Sequence, residues 1–297
     1  MSDRQKPTWY YEALLFITTV TWSMSFVWSK IITNTGMVSE MYLFLRYTLA
    51  ALLLLPFAWK KLRACTRAQV RSGVIMGLII FVGMMFQVAG IAMTTPSNSS
   101  FITTAYVVIA PFTTWLLLRQ KPDRITYVAV LLCLVGIYIL NMKPGEMLSL
   151  NLGNALTLVG ALCWAFQLTY TSMIGGTMDP LALSALSFGT TGLGGLVYCL
   201  IGGAMFRTPV AQLQAAAPAI LLTALLPTIL AGVVQVYAQP HVNANKAAVL
   251  YTMEAVFATL ISIFLGLEGW SLSVLTGGGV IIAAVLLMQF GGKKRNV

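Results

Sequence analysis

Charge is what this chain has least of. Of its 297 residues only 9% are Asp, Glu, Lys or Arg, against about 25% in ordinary soluble domains. Apolar residues make up 58%, and the mean hydropathy is +0.85. A soluble fold of this size has too little interior to bury that much apolar surface, so the bilayer must act as the solvent. Histidine is nearly missing: His241 stands alone. With no HExxH and no GxSxG, neither a metal triad nor an intramembrane Ser–His pair can be assembled. No phosphate-cradling motif is present either, which removes direct ATP coupling. The chain therefore does not read as an enzyme, and no cofactor and no metal are expected. Its cysteines, Cys65, Cys133, Cys163 and Cys199, form no CxxC pair, and three lie inside apolar segments. They read as packing residues without a disulfide. The first apolar run is too long for a signal peptide and lacks a small-residue cleavage site, so it reads as a first span.

What is abundant is long apolar segments. They cover residues 10–32, 41–59, 72–93, 97–118, 125–142, 152–174, 180–204, 216–238, 243–266 and 271–290. Each is long enough to cross a bilayer as a helix. The expected fold is an all-α polytopic membrane protein of ten transmembrane helices. Pro111 in span 4 and Pro227 in span 8 each remove a backbone donor and should bend their helices. Span 7 is rich in Gly and Ser, the composition of a close helix–helix contact. The net charge of +10 is explained by position, and no nucleic-acid partner is implied. One set of loops and tails carries Arg4, Lys6, Lys60, Lys61, Arg63, Arg67, Arg71, Arg119, Lys121, Arg124, Lys293, Lys294 and Arg295. The opposite loops carry only Lys143 and Arg207. That asymmetry puts both termini in the cytoplasm, in a multi-pass protein of the cell inner membrane. Nothing in the sequence sets an oligomeric state.

The chain repeats itself. Trp22 answers Trp164, Pro111 answers Ala255 and Gly136 answers Gly279, each pair at nearly the same interval. Two halves follow, residues 1–146 and 147–297, with five spans each. Because five is odd, two such halves in series must cross the membrane in opposite senses. Inverted repeats of this kind recur in secondary transporters, which hold substrate near the midplane between the repeats.

The segment 243–266 carries the charges that composition would forbid. An acid at mid-helix costs roughly 3 kcal/mol on insertion scales, yet Glu254 is there, and Lys246 opens the same segment. Lys246, Leu250 and Glu254 share a helix face. Eight residues separate the two charges by about 12 Å, too far for a direct pair. Glu254 therefore needs a substrate amine, a proton or a donor from another helix; the structural alternative is an acid bonded to a helix end. Lys246 reads as snorkelling or capping, and His241 as a solvated loop residue. Lys30 reads as an interfacial anchor, and Arg46 as tied to carbonyls or to Glu40. Amides and amphipathic aromatics inside hydrocarbon need partners, which a wet cavity supplies. The substrate-binding candidates are Trp22, Gln87, Tyr106, Trp164, Gln167, Gln235, Tyr251 and Glu254. The competing role for each is a bond across a helix interface.

Three stretches carry a family resemblance: WSMSFVWSK at residues 22–30, GIAMTTPSNSSFITTAYVVIAPF at 90–112 and ANKAAVLYTMEAVFATLISIFLGLEGWSLSVLTGGGVIIAAVLL at 244–287. Over nearly its whole length the chain resembles the ten-helix EamA-type transporters of the drug/metabolite transporter superfamily. Lys246, Glu254, Glu268 and the glycines 277–279 carry the most specific part of the match. The family follows the span 9 glutamate with proline; here it is Ala255, so no proline kink is carried over. The resemblance implies a secondary transporter that exports or exchanges small polar metabolites, such as amino acids, or drugs. Its expected partners are a small-molecule substrate, the lipid bilayer and a candidate coupling proton. The pocket is expected between spans 1, 3 and 4 of one half and spans 6, 8 and 9 of the other. It would suit a zwitterionic or aromatic metabolite. A passive channel for small solutes is the alternative, and a receptor or scaffold would have a dry, packed centre.

Overall fold

In the computed structural model the described residues are 6–119, 121–141, 152–267 and 269–291. Arg4, Lys143, Glu268, Lys293, Lys294, Arg295 and the junction at 146–147 lie outside them. Among the described residues there is no strand. The helices are α1 (Thr8–Asn34), α2 (Ser39–Arg63), α3 (Arg67–Ala92), α4 (Pro96–Thr103), α5 (Tyr106–Leu118), α6 (Arg124–Asn141), α7 (Leu152–Ile174), α8 (Pro180–Ile201), α9 (Ala204–Arg207), α10 (Val210–Thr223), α11 (Ala231–Ala238), α12 (Ala244–Tyr251), α13 (Met253–Phe264) and α14 (Leu272–Gly291). A π turn, Ala224–Leu230, joins α10 to α11.

Eight helical stretches are long and apolar enough to cross a bilayer, and two shorter apolar helices cover Arg124–Ile139 and Leu275–Met288. Their starts follow local capping chemistry. Thr66 and Gln69 form a reciprocal capping box at α3. Asp179 caps α8 with Pro180 behind it, and the Asn243 side chain accepts from Asn245 and Lys246 at α12. Apolar side chains such as Leu52, Phe57, Phe112, Leu116 and Leu131 point outward, as lipid contact requires. Trp9, Trp59 and Trp270 are also exposed, near helix ends, where indoles prefer the membrane interface.

Three of the long stretches are interrupted. Between α4 and α5, Thr104 donates its hydroxyl to the Phe101 carbonyl at 2.6 Å. Between α12 and α13, Thr252 donates to the Val249 carbonyl at 2.6 Å. Both side chains compete with the regular backbone ladder. At both places the chain closes short bonds instead: Val107 N–H to the Thr104 carbonyl at 2.9 Å, and Ala255 N–H to the Thr252 carbonyl at 3.1 Å. The break in span 4 falls upstream of Pro111, which lies inside α5. Span 9 breaks without the proline that Ala255 replaces. In span 8 the bend expected at Pro227 takes the form of the π turn.

The most extensive helix contacts join α2 to α8, α3 to α7 and α6 to α14. Each couples a helix before residue 142 to one after residue 151. The expected small-residue contact in span 7 lies on the first of these seams. A Cβ at Gly192 would sit 2.9 Å from Thr48 Oγ1 and 3.0 Å from Thr48 N, and one at Gly195 would sit 2.9 Å from Phe44 Cα. Only glycine lets the two backbones approach this closely. Two apolar clusters form the interior. One gathers α1, α5, α6, α12, α13 and α14, and the other gathers α2, α3, α8 and α10. Trp164 packs against both.

Candidate functional site

Between the two clusters lies a partly open cavity. Trp22, Gln87, Tyr106, Trp164, Gln167, Gln235, Tyr251 and Glu254 all line it. The expected walls, spans 1, 3, 4, 6, 8 and 9, therefore meet there. Spans 2 and 7 join them through Arg46, Tyr47 and Phe188.

The aromatic wall is braced. The Trp22 indole N–H donates to the Pro227 carbonyl at 3.1 Å, a group that the π turn presents to the cavity. Trp22 also meets Tyr251 edge-on, with ring centroids 5.1 Å apart. The Trp164 indole N–H donates to Gln87 Oε1 at 2.6 Å. These residues line the cavity and also bond across helices.

An amide chain floors it. Gln167 Nε2 donates to Gln235 Oε1 at 3.1 Å, and Gln235 Nε2 donates to Gln239 Oε1 at 2.8 Å. The Tyr251 hydroxyl donates to the same Gln239 oxygen at 3.1 Å. Gln239 Nε2 then reaches the Leu168 carbonyl and Ser172 Oγ. Gln239 is fully buried. Its position in a polar turn between spans gave no signal of this; the Gln235–Gln239 spacing of four was the only clue.

Glu254 sits in the first turn of α13. The break at Thr252 creates a helix N-terminus there, whose positive end favours an acid. The Glu254 backbone carbonyl accepts from Ser23 Oγ at 3.0 Å. Its carboxyl makes no hydrogen bond and no ion pair among the described residues, although the residue is only 7% exposed. Tyr106 is buried nearby in the lining, and its hydroxyl has no hydrogen-bond partner among the described residues.

Arg46 corrects the reading made from sequence. It pairs neither with Glu40 nor with carbonyls. Its Nε donates to Thr228 Oγ1 at 2.8 Å, and its Nη1 donates to Ser25 Oγ and the Tyr42 hydroxyl, both at 3.0 Å. The Thr228 hydroxyl in turn donates five residues back, to the Thr223 carbonyl at 2.8 Å. That reach is available because the π turn shifts Thr228 inward. The cue that singled out Glu254, an isolated charge inside a span, applied equally to Arg46.

Near the start of α1, side chains pair across helices. Lys246 forms an ion pair with Glu12 at 2.5 Å. The His241 ring stacks on Tyr11 with centroids 4.1 Å apart, and its Nδ1 is 3.0 Å from the Tyr237 carbonyl. Lys246 therefore has an acid partner that the sequence did not reveal, and His241 is exposed but stacked. At the other end of α1, Lys30 Nζ donates to the Ile91 and Ala92 carbonyls. It caps the C-terminus of α3. All four cysteines are free. No group of three His, Cys, Asp or Glu side chains converges among the described residues.

The EamA-like transporter family matches this chain twice, over residues 9–142 and 151–290. A curated protein of Archaeoglobus fulgidus, described as an uncharacterized transporter, is 29% identical over 249 residues. The match covers 82% of this chain and 74% of that protein. A protein of known crystal structure superposes with a TM-score of 0.75 at 14% identity, covering 96% of this chain and 99% of the other. At that identity the likeness is one of fold.

Proposed function

This chain belongs to the EamA-like transporter family, and from that premise we propose that it is a secondary active transporter of small polar metabolites working by alternating access. The proposed topology is ten spans in two inverted five-helix units, residues 1–146 and 147–297. Both termini face the cytoplasm in the inner membrane. Eight long and two shorter apolar helices support that count, and the distribution of Lys and Arg supports the orientation. The substrate would occupy the cavity against Trp22, Gln87, Tyr106, Trp164, Gln167, Gln235, Tyr251 and Glu254.

One observation carries the reading. The cavity lies between helices from both parts of the chain, and its lining holds a carboxyl without a partner among the described residues. An intramembrane acid with nothing to bond is a group waiting for a proton or a substrate amine. The broken helices support the movement: α4–α5, α12–α13 and the π turn can each bend where the backbone ladder is already interrupted.

Counterflow in proteoliposomes tests the class. With amino acids of varied side chain as probes, uptake of label should be accelerated by unlabelled substrate preloaded on the far side. A channel shows no such trans-stimulation, and its absence for every transported probe would overturn the proposal. The coupling role has its own test. Glu254→Gln should abolish substrate-driven proton movement across the vesicle membrane while preserving the fold; unchanged proton movement in that variant would remove Glu254 from the coupling step.

A further inference from the structure

Arg46 is a cation with nothing to neutralise it. It is 4% exposed, it lines the cavity, and no acid pairs with it among the described residues. A guanidinium has five N–H donors in a fixed plane. Three are spent: one from Nε on Thr228, and two from Nη1 on Ser25 and Tyr42. The two on Nη2 have no partner among the described residues. The plane is held from the side by the rings of Tyr42 and Tyr47, whose centroids lie 5.9 and 5.4 Å from Cζ.

A buried charge is tolerated when it is paired and fully hydrogen-bonded, and costly when it is not. Neutral hydroxyls supply dipoles and no counter-charge. They fix where the guanidinium points without discharging it. The three hydroxyls come from α1, α2 and the π turn, so three elements converge on holding this one group still. Pre-organisation of that kind belongs to a group that meets a ligand.

We infer that Arg46 is an anion subsite of the cavity and that it binds a single carboxylate of the transported molecule through Nη2. The inference rests on the cavity being the substrate site. Among the described residues, Arg46 is the only cation in the lining and Glu254 its only acid. One guanidinium with two open donors matches a monoanion; a phosphoryl dianion would call for a second cation. The remaining lining, with Trp22, Trp164, Tyr47 and Phe188, takes an apolar body. The ligand class is a monocarboxylate with an aromatic or aliphatic skeleton, and Arg46 excludes its uncharged analogues by leaving their side of the bond unpaired.

The test is ligand-induced thermal stabilisation of the purified full-length protein in detergent, with 3-phenylpropionate, 3-phenylpropionamide and phenyl phosphate at millimolar concentration. The acid should raise the melting temperature, and the amide should not. Arg46→Met should weaken the acid's apparent affinity about tenfold to a hundredfold, the loss of charge-assisted hydrogen bonds. Arg46→Lys should retain part of the effect. If Arg46→Met cannot be purified, Thr228→Val and Ser25→Ala replace it. Each frees the guanidinium from one brace and should lower affinity for the acid alone.

Equal stabilisation by acid and amide, a larger effect from phenyl phosphate, or an undiminished acid effect in Arg46→Met would each overturn the subsite. No stabilisation by any compound would overturn it too. Trans-stimulation in the counterflow assay would leave the transporter reading intact in all four cases.

Discussion

Glu254 and Arg46 are both ionisable side chains buried inside spans, and the fold accommodates them differently. The acid rests on a helix N-terminus created by a broken helix; the base rests on three hydroxyls drawn from three elements. Neither is paired, and the cavity between them is where both face. Beneath them Gln239 ties span 6 to span 8 and to the start of span 9. Gln239→Leu keeps the volume but takes the acceptor from the Tyr251 hydroxyl and from one N–H of Gln235, whose Nε2 keeps its bond to Gln167. It should cost about 2 kcal/mol or more, read as a lowered melting temperature of the detergent-solubilised protein. The isolated charges and amides inside apolar runs were legible in the sequence, because such residues are costly in lipid and few reasons retain them. Their partners were not. Glu12 is the nearest acid to Lys246 in space, but it lies at the far end of the chain, and no spacing rule links the two. Gln239 sits in what reads as an ordinary polar turn.

At the scale of elements, apolar length found eight helical stretches long enough to cross a bilayer and two shorter apolar helices, and the Gly–Ser content of span 7 was enough to expect its close contact. The breaks were harder. Proline drew attention to Pro111 and Pro227, yet the interruptions in spans 4 and 9 occur at Thr104 and Thr252, whose hydroxyls bond back onto the preceding turn. Threonine is common inside membrane helices, and only the packing around it decides whether it bends them. The seam between α2 and α8 makes a sharper prediction. Gly192→Val forces a side chain against the Thr48 backbone. It should destabilise the protein by about 1–3 kcal/mol through overpacking, while Gly189→Ala, in open space, should be neutral. Thermal unfolding of the two variants side by side checks this.

Across the whole molecule, an ion pair and three seams tie early helices to late ones. The Lys246–Glu12 pair joins α12 to α1, with Glu12 only 6% exposed and Lys246 22%. Glu12→Gln and Lys246→Met each remove this ion pair and should each lower stability, by about 3 kcal/mol at most for so partly shielded a pair. The double substitution should cost less than the sum, and a double-mutant cycle measures the difference.

The three largest seams have a further consequence. Each joins an early helix to a late one, α2 to α8, α3 to α7 and α6 to α14. During synthesis the ribosome delivers the early helices first, with the faces that will meet the later helices still open to lipid. They must wait in the membrane, loosely gathered, until the later ones arrive. Cut into two polypeptides near residue 146, neither fragment would persist alone in a cell, but co-expressed they should find each other and restore the whole.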